Sequence, residues 1–117
     1  MAEDRATINS FQMGAALLDA CVLGVLAKGD AYGYSLTQKM RAIVDISEST
    51  LYPVLRRLQK DGCLTTYDQP TNGRNRRYYR LTDKGRGMYC AYSAQWADFK
   101  ASIDFILGDG EVEENEE

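Results

Sequence analysis

The stretch Ser47-Glu-Ser-Thr-Leu-Tyr-Pro-Val-Leu-Arg-Arg-Leu-Gln-Lys-Asp-Gly62 decides how this chain is read. Leu51, Leu55 and Leu58 recur at helical spacing, hydroxyls and a tyrosine stand at the leading end, and Gly62 supplies a stop. Further on, Asn72-Gly-Arg-Asn-Arg-Arg-Tyr-Tyr79 is expected to form the basic tip of a β-hairpin. Asn and Gly both tolerate the positive φ that a two-residue hairpin turn demands. A helix followed by a basic hairpin is the layout of a winged helix-turn-helix, whose helix enters a major groove while the wing follows the phosphates. The expected fold is therefore mainly α with a small β-hairpin, and the expected partner is double-stranded DNA.

Toward the N-terminus, Phe11 to Lys28 is apolar at helical spacing, with Ala15, Leu18, Val22, Val25 and Leu26 on one face, and Gly29-Asp30 ends it. A second helix is expected from about Gly33 to Val44, burying Leu36, Met40 and Ile43. Ile46-Ser47 turns into the third helix. Pro53 allows two readings: with Ser47 as N-cap it is interior and loosens the first turns, and with Ser49 as cap it lies near the first turn at little cost. Strands are expected at Cys63–Asp68 and Arg76–Leu81, with Tyr67 opposite Tyr78 and Thr65 opposite Arg80. Pro70 suits a loop or a strand edge.

Thr82-Asp83 should cap a final helix reaching about Gly108. Its large apolar residues, Tyr89, Tyr92, Trp96, Phe99, Ile103 and Ile106, alternate at steps of three and four, close to the 3.5 of a coiled-coil seam. A helix that long has more apolar length than so small a domain can cover, so a homodimer is expected. The organisation is then a winged helix-turn-helix over residues 1–81, a dimerisation helix over 82–108 and an acidic, disordered tail over 109–117.

The 117 residues carry a net charge of −3, which at face value argues against nucleic acid. The distribution reverses that: residues 28–87 carry 12 Lys and Arg against 6 acids, whereas residues 88–117 carry one Lys against 8 acids. Phosphate binding responds to the local field. No apolar run is long enough to span a membrane, and the polar, acidic start is unlike a secretory signal, so a cytoplasmic protein is expected. Cys21, Cys63 and Cys90 are widely spaced and histidine is absent, which gives no zinc spacing, no cofactor and no usual general base. An enzyme is not expected. The thiols are expected to be buried and reduced, with Cys90 a redox candidate if exposed.

The residues proposed to meet DNA are Ser49, Thr50 and Tyr52 at the leading end of the third helix, Arg56 and Arg57 two turns in, and Asn72, Gly73, Arg74, Asn75, Arg76, Arg77 and Tyr78 of the wing. The plainer alternative is that Ser and Thr cap and the arginines solvate one face. Tyr78 and Tyr79 point to opposite sides of their strand, one toward the core and one free to reach a phosphate, in an order that spacing leaves open. Arg80 is a candidate for pairing within the protein.

The motifs Tyr32-Gly-Tyr-Ser-Leu36, Ser49-Thr-Leu-Tyr-Pro-Val-Leu-Arg-Arg-Leu58, Asp61-Gly62 and Arg77-Tyr-Tyr-Arg-Leu-Thr-Asp-Lys-Gly85, in that order, resemble the PadR family of bacterial transcriptional regulators from Ala15 to about Leu107. The short length and single C-terminal helix are similar to the smaller PadR subfamily. The resemblance implies a dimeric repressor, and a Trp of the last helix lining a pore between subunits where planar aromatic effectors stack. Trp96 is placed like that residue, with Tyr92 and Phe99 beside it; Ala15, Leu18 and Asp19 of the first helix are candidates to line the same pocket from the partner subunit. A different class of function, a winged-helix protein–protein adaptor whose basic face meets an acidic protein, draws on the net negative charge. A third is a ligand-binding protein whose DNA contact is vestigial.

Overall fold

The computed structural model describes residues 14–108. The expected start of the first helix at Phe11 and the acidic tail lie outside these residues. The elements are α1 (Ala15–Ala27), β1 (Ala31–Tyr32), α2 (Gly33–Arg41), α3 (Glu48–Lys60), β2 (Leu64–Thr71), β3 (Arg74–Leu81) and α4 (Asp83–Leu107). The sheet is antiparallel in the order β1-β3-β2. This is the mainly α, winged helix-turn-helix architecture, with a long C-terminal helix, that the hydrophobic spacing implied.

The core is built where apolar faces of three helices meet one face of the sheet. Leu18, Val22, Leu23 and Leu26 of α1, Leu36 and Met40 of α2, and Leu51, Val54, Leu55 and Leu58 of α3 close over Leu64 and Leu81. On α3 the four buried positions fall at i, i+3, i+4 and i+7, the stripe of an amphipathic helix. The start of α3 is fixed by Ser47, whose side chain accepts from the Thr50 amide at 3.3 Å. Pro53 is therefore interior, and α3 nonetheless continues to Lys60. Its end is a Schellman motif: Cys63 N–H donates to the Leu58 carbonyl and Gly62 N–H to the Gln59 carbonyl, with Gly62 at φ +82°.

The wing turn is the one foreseen, with Asn72 at φ 52° and Gly73 at φ 77°. The register pairs Tyr67 with Tyr78 and Thr65 with Arg80, as expected, while both strands run further toward the turn, to Thr71 and from Arg74. Pro70 lies on β2, an outer strand of the sheet, where a missing donor is tolerated.

Three expectations are corrected. First, α2 stops at Arg41, and the Val44 amide turns back to the Met40 carbonyl, so Ile43 lies past the helical face and is 82% exposed rather than core. Second, a two-residue strand, β1, joins the sheet by pairing Ala31 with Tyr79 and Tyr32 with Tyr78. Two residues are too few to show a strand period. Third, the first part of the α4 seam is partly covered within the subunit itself: Tyr89 and Tyr92 pack on the core, and a Cβ on Gly24 of α1 would sit 3.4 Å from the Tyr89 ring. The uncovered part of α4 begins at Trp96 (44% exposed) and Phe99 (58%) and reaches Ile106 and Leu107.

The base of α4 is fastened to the end of α3. Thr82 accepts from the Gly85 amide at 3.0 Å and donates to the Gly62 carbonyl at 2.6 Å, while Lys84 Nζ donates to the Asp61 carbonyl at 2.7 Å. The long helix and the third helix thus share one joint.

Burial pushes the Tyr79 hydroxyl above its ordinary value of 10.0. An acid raised in this way holds a proton in the folded protein that the unfolded chain has released. Stability should therefore fall as pH rises from about 10 toward the raised value. Tyr79→Phe is expected to flatten that alkaline loss in unfolding curves measured across pH 9–11, the window centred on the ordinary tyrosine value.

Candidate nucleic-acid interface

The leading end of α3 is an exposed cluster of hydroxyls. Ser47 Oγ lies 3.0 Å from both Ser49 Oγ and Thr50 Oγ1, and Ser47 alone caps the helix. Ser49 and Thr50 are therefore available to phosphates or base edges. Tyr52, assigned to the same group, is half-buried and packs against the core beside Gly33 at the start of α2. Arg56 is exposed.

Arg57 has another commitment. Its Nη1 and Nη2 donate to the two carboxylate oxygens of Asp19 at 3.1 and 2.5 Å, a bidentate pair between α3 and α1. The hydrogen bond to Asp19, with the neighbouring carboxylates, raises the Arg57 pKa above its ordinary value. Asp19 is 5% exposed and Leu18 6%. Neither can line a pocket open to a partner subunit, because one is salt-bridged inside the fold and the other is core. Only Ala15 of that trio is exposed. The groove beside Trp96 is lined instead by Ala16, Leu17 and Ala20 of α1 and by Tyr92, Gln95, Trp96 and Phe99 of α4, enclosing about 210 Å3. The stripe of α1 that faces this groove shares no residue with the trio the sequence suggested.

The wing separates its side chains by strand alternation. Tyr79 faces the core with Leu81, which answers the question its spacing left open. Tyr78 lies on the outer face, stacked on Tyr67 at 5.4 Å and 14°, edge-on to Tyr32 at 5.5 Å, and with its hydroxyl 3.0 Å from Thr71 Oγ1. On the same face the Arg76 guanidinium lies over Tyr32 and that of Arg80 over Tyr67, each 4.5 Å from the ring centre. Arg80 also donates to Asp30 at 3.2 Å, and the Tyr67 hydroxyl donates to the same carboxylate at 2.7 Å, which raises the Tyr67 pKa. Arg80 thus pairs inside the protein, as suspected. Arg77 lies 3.7 Å from Asp68 at a solvent-exposed position, worth little to stability. Asn72, Gly73, Arg74 and Asn75 are exposed at the tip.

The sequence reading missed Asp30, Tyr32, Tyr67 and Arg80 as one cluster. Its only available signal was the pairing of Tyr67 with Tyr78, since β1 itself was not foreseen. Cys63 is buried, Cys21 is half-buried with its thiol pKa pushed up by burial, and Cys90 is exposed on α4. Among the described residues no group of three or more Cys, Asp and Glu side chains is placed to hold a metal, and no helix is long and apolar enough to cross a membrane.

An exposed hydroxyl-led helix beside a basic two-residue-turn wing, on a three-helix core extended by a long last helix, defines a winged helix-turn-helix DNA-binding protein. Residues 22–90 match the Transcriptional regulator PadR-like family, and the chain belongs to that family. It is similar to the transcriptional regulator Rv3488 of Mycobacterium tuberculosis, 39% identical over 80 residues that cover 68% of this chain and 73% of the relative. Among solved structures, the protein smu.1704 of Streptococcus mutans UA159 superposes with a TM-score of 0.81 at 38% identity, covering 89% of this chain and 98% of that one. A PadR family transcription regulator from Clostridium difficile R20291 gives 0.72 at 26% identity, covering 78% and 98%. The chain is a DNA-binding transcriptional regulator, and its family comprises regulators rather than enzymes.

Proposed function

We propose that this regulator is a dimeric repressor that sets α3 of each subunit into a major groove and each wing on the adjacent backbone, under control of a planar aromatic effector bound beside Trp96. The observation that carries the dimer is the uncovered distal half of α4: Trp96, Phe99, Phe105, Ile106 and Leu107 are 44–73% exposed along one helix. Apolar surface of that extent on one element favours burial against a second copy. The groove of Trp96, Phe99 and Tyr92 supplies flat faces at that edge, with Trp96 and Phe99 rings 6.1 Å apart. The joint of Thr82, Lys84 and Gly62 supports the coupling, because a change in the angle of α4 moves the end of α3 with it. An effector then needs only to prefer one dimer geometry by a few kcal/mol.

Fluorescence anisotropy of a labelled duplex from upstream of the protein's own gene, titrated at several salt concentrations beside a scrambled duplex, tests this. Tight, selective binding with a negative salt slope is the expected result. Equal, weak binding to both duplexes would move the reading to an adaptor for an acidic protein. Arg74→Ala with Arg76→Ala is expected to weaken binding to all sequences and to reduce the salt slope by about 1–2, since each phosphate contact contributes about 0.9. An unchanged slope would remove the wing from the interface. In sedimentation, Trp96→Lys or Ile106→Lys is expected to shift the protein from dimer toward monomer.

A further inference from the structure

The wing carries two arginines over tyrosine rings in unlike states. Arg80 lies over Tyr67, and its Nε donates to Asp30. Arg76 lies over Tyr32 with its guanidinium carbon 4.5 Å from the ring centre, its Nε buried without a hydrogen-bond partner, and, among the described residues, no carboxylate against it. A guanidinium presents Nη1 and Nη2 along one edge, which suits a bidentate acceptor such as phosphate. The Arg76 Nε is turned in and shut off from solvent, which leaves those Nη groups as its outward donors. Tyr32 is itself held, since β1 pairs it with Tyr78, whose ring meets it edge-on and stacks in turn on Tyr67.

We infer that Tyr32 is a positioning residue for DNA binding: its ring fixes the Arg76 guanidinium in the orientation in which its free edge meets a backbone phosphate. A flexible arginine at a hairpin tip loses rotamer freedom when it binds, and one held over a ring has already lost it before the phosphate arrives. The short strand β1 thereby has a role in recognition, since it delivers the tyrosine from beside α2 to the outer face of the wing. The inference rests on the reading that the wing contacts DNA, and its test separates the two.

Operator affinity is measured by anisotropy for Tyr32→Leu, Tyr32→Phe, Arg76→Lys, Arg76→Ala and the double variant Tyr32→Leu with Arg76→Ala, each checked for folding by its melting curve. Tyr32→Leu is expected to weaken binding about threefold, near the lower end of the cost of immobilising one rotamer-rich side chain. Arg76→Lys, which keeps the charge and the intact sheet but loses the planar fork, should weaken it to a similar extent. Tyr32→Phe restores the affinity that leucine loses, because it keeps the ring. In the Arg76→Ala background, Tyr32→Leu should cost nothing further. An equal loss from Tyr32→Leu with or without Arg76 overturns the inference, as that is a general structural effect. So does an Arg76→Ala loss that neither Tyr32→Leu nor Arg76→Lys shares. If Arg76→Ala changes neither affinity nor salt slope, the wing-contact reading fails at that residue and the inference falls with it.

Discussion

Arg57→Ala is expected to destabilise the protein by about 3 kcal/mol, because it leaves the Asp19 carboxylate, 5% exposed, inside the fold without its partner. The reverse change should be milder. Asp19→Ala leaves an arginine whose side chain is already 45% exposed and can turn to water, at a cost of about 1 kcal/mol. The double variant Asp19→Leu with Arg57→Met removes both charges and should come close to neutral, since a buried pair gains little over well-packed apolar groups. Chemical denaturation of the four proteins reads these differences directly. Equal losses from the two single substitutions would show that the pair is solvated from both sides. Operator binding by the double variant adds a second reading. An unchanged salt slope would assign Arg57 to the fold alone, and a slope reduced by about 0.9 would return it to a phosphate.

The second large effect is at Gly85, near the start of α4. Helix propensity alone makes Gly→Ala stabilising there by about 1 kcal/mol. The packing reverses the sign: a Cβ on Gly85 would lie 2.1 Å from the Cys63 carbonyl oxygen and 2.9 Å from Leu81 Cδ2. The first of these is backbone at the end of the Schellman turn, and it cannot move aside as a flexible side chain would. Gly85→Ala should therefore lower stability by at least about 2 kcal/mol and shift α4 away from α3. Gly87→Ala is the control, two residues on in the same helix. Its Cβ meets nothing within 4 Å, so it should stabilise by about 1 kcal/mol. Thermal melts of both variants decide the matter. If both raise the melting temperature, the close approach of α4 to the α3–β2 turn is wrong.

The joint at Gly85 also bears on function. Thr82, Lys84 and Gly85 all engage residues 61–63, so loosening it should uncouple α4 from α3. In the proposed repressor, such a variant would keep its dimer and lose the influence of an effector on operator affinity.

Periodicity within single segments determined much of this protein. The apolar stripe of α3, the Asn72-Gly73 turn, the register of Tyr67 with Tyr78, the Thr82 cap and the length of α4 are local patterns, each governed by residues a few positions apart. The winged helix-turn-helix class followed from them, whereas the family resemblance rested on the ordered motifs between Tyr32 and Gly85. Ser49, Thr50 and Arg74 were legible as exposed groups because helix ends and hairpin tips face water wherever the rest of the chain packs. The boundary of α2 was not, because a helix ends where its next turn loses packing, and Ile43 carries no sign of that in its own identity. What each arginine does was also beyond the sequence. Arg57 meets an aspartate 38 positions away, Arg80 meets one 50 positions away, and Arg76 lies on a tyrosine brought to it by a two-residue strand. Charge and spacing place a cation on a surface, but which carboxylate or ring it meets depends on how distant elements pack. Packing between distant elements is what leaves Arg80 tied to Asp30 and Arg76 on Tyr32 without a carboxylate partner among the described residues.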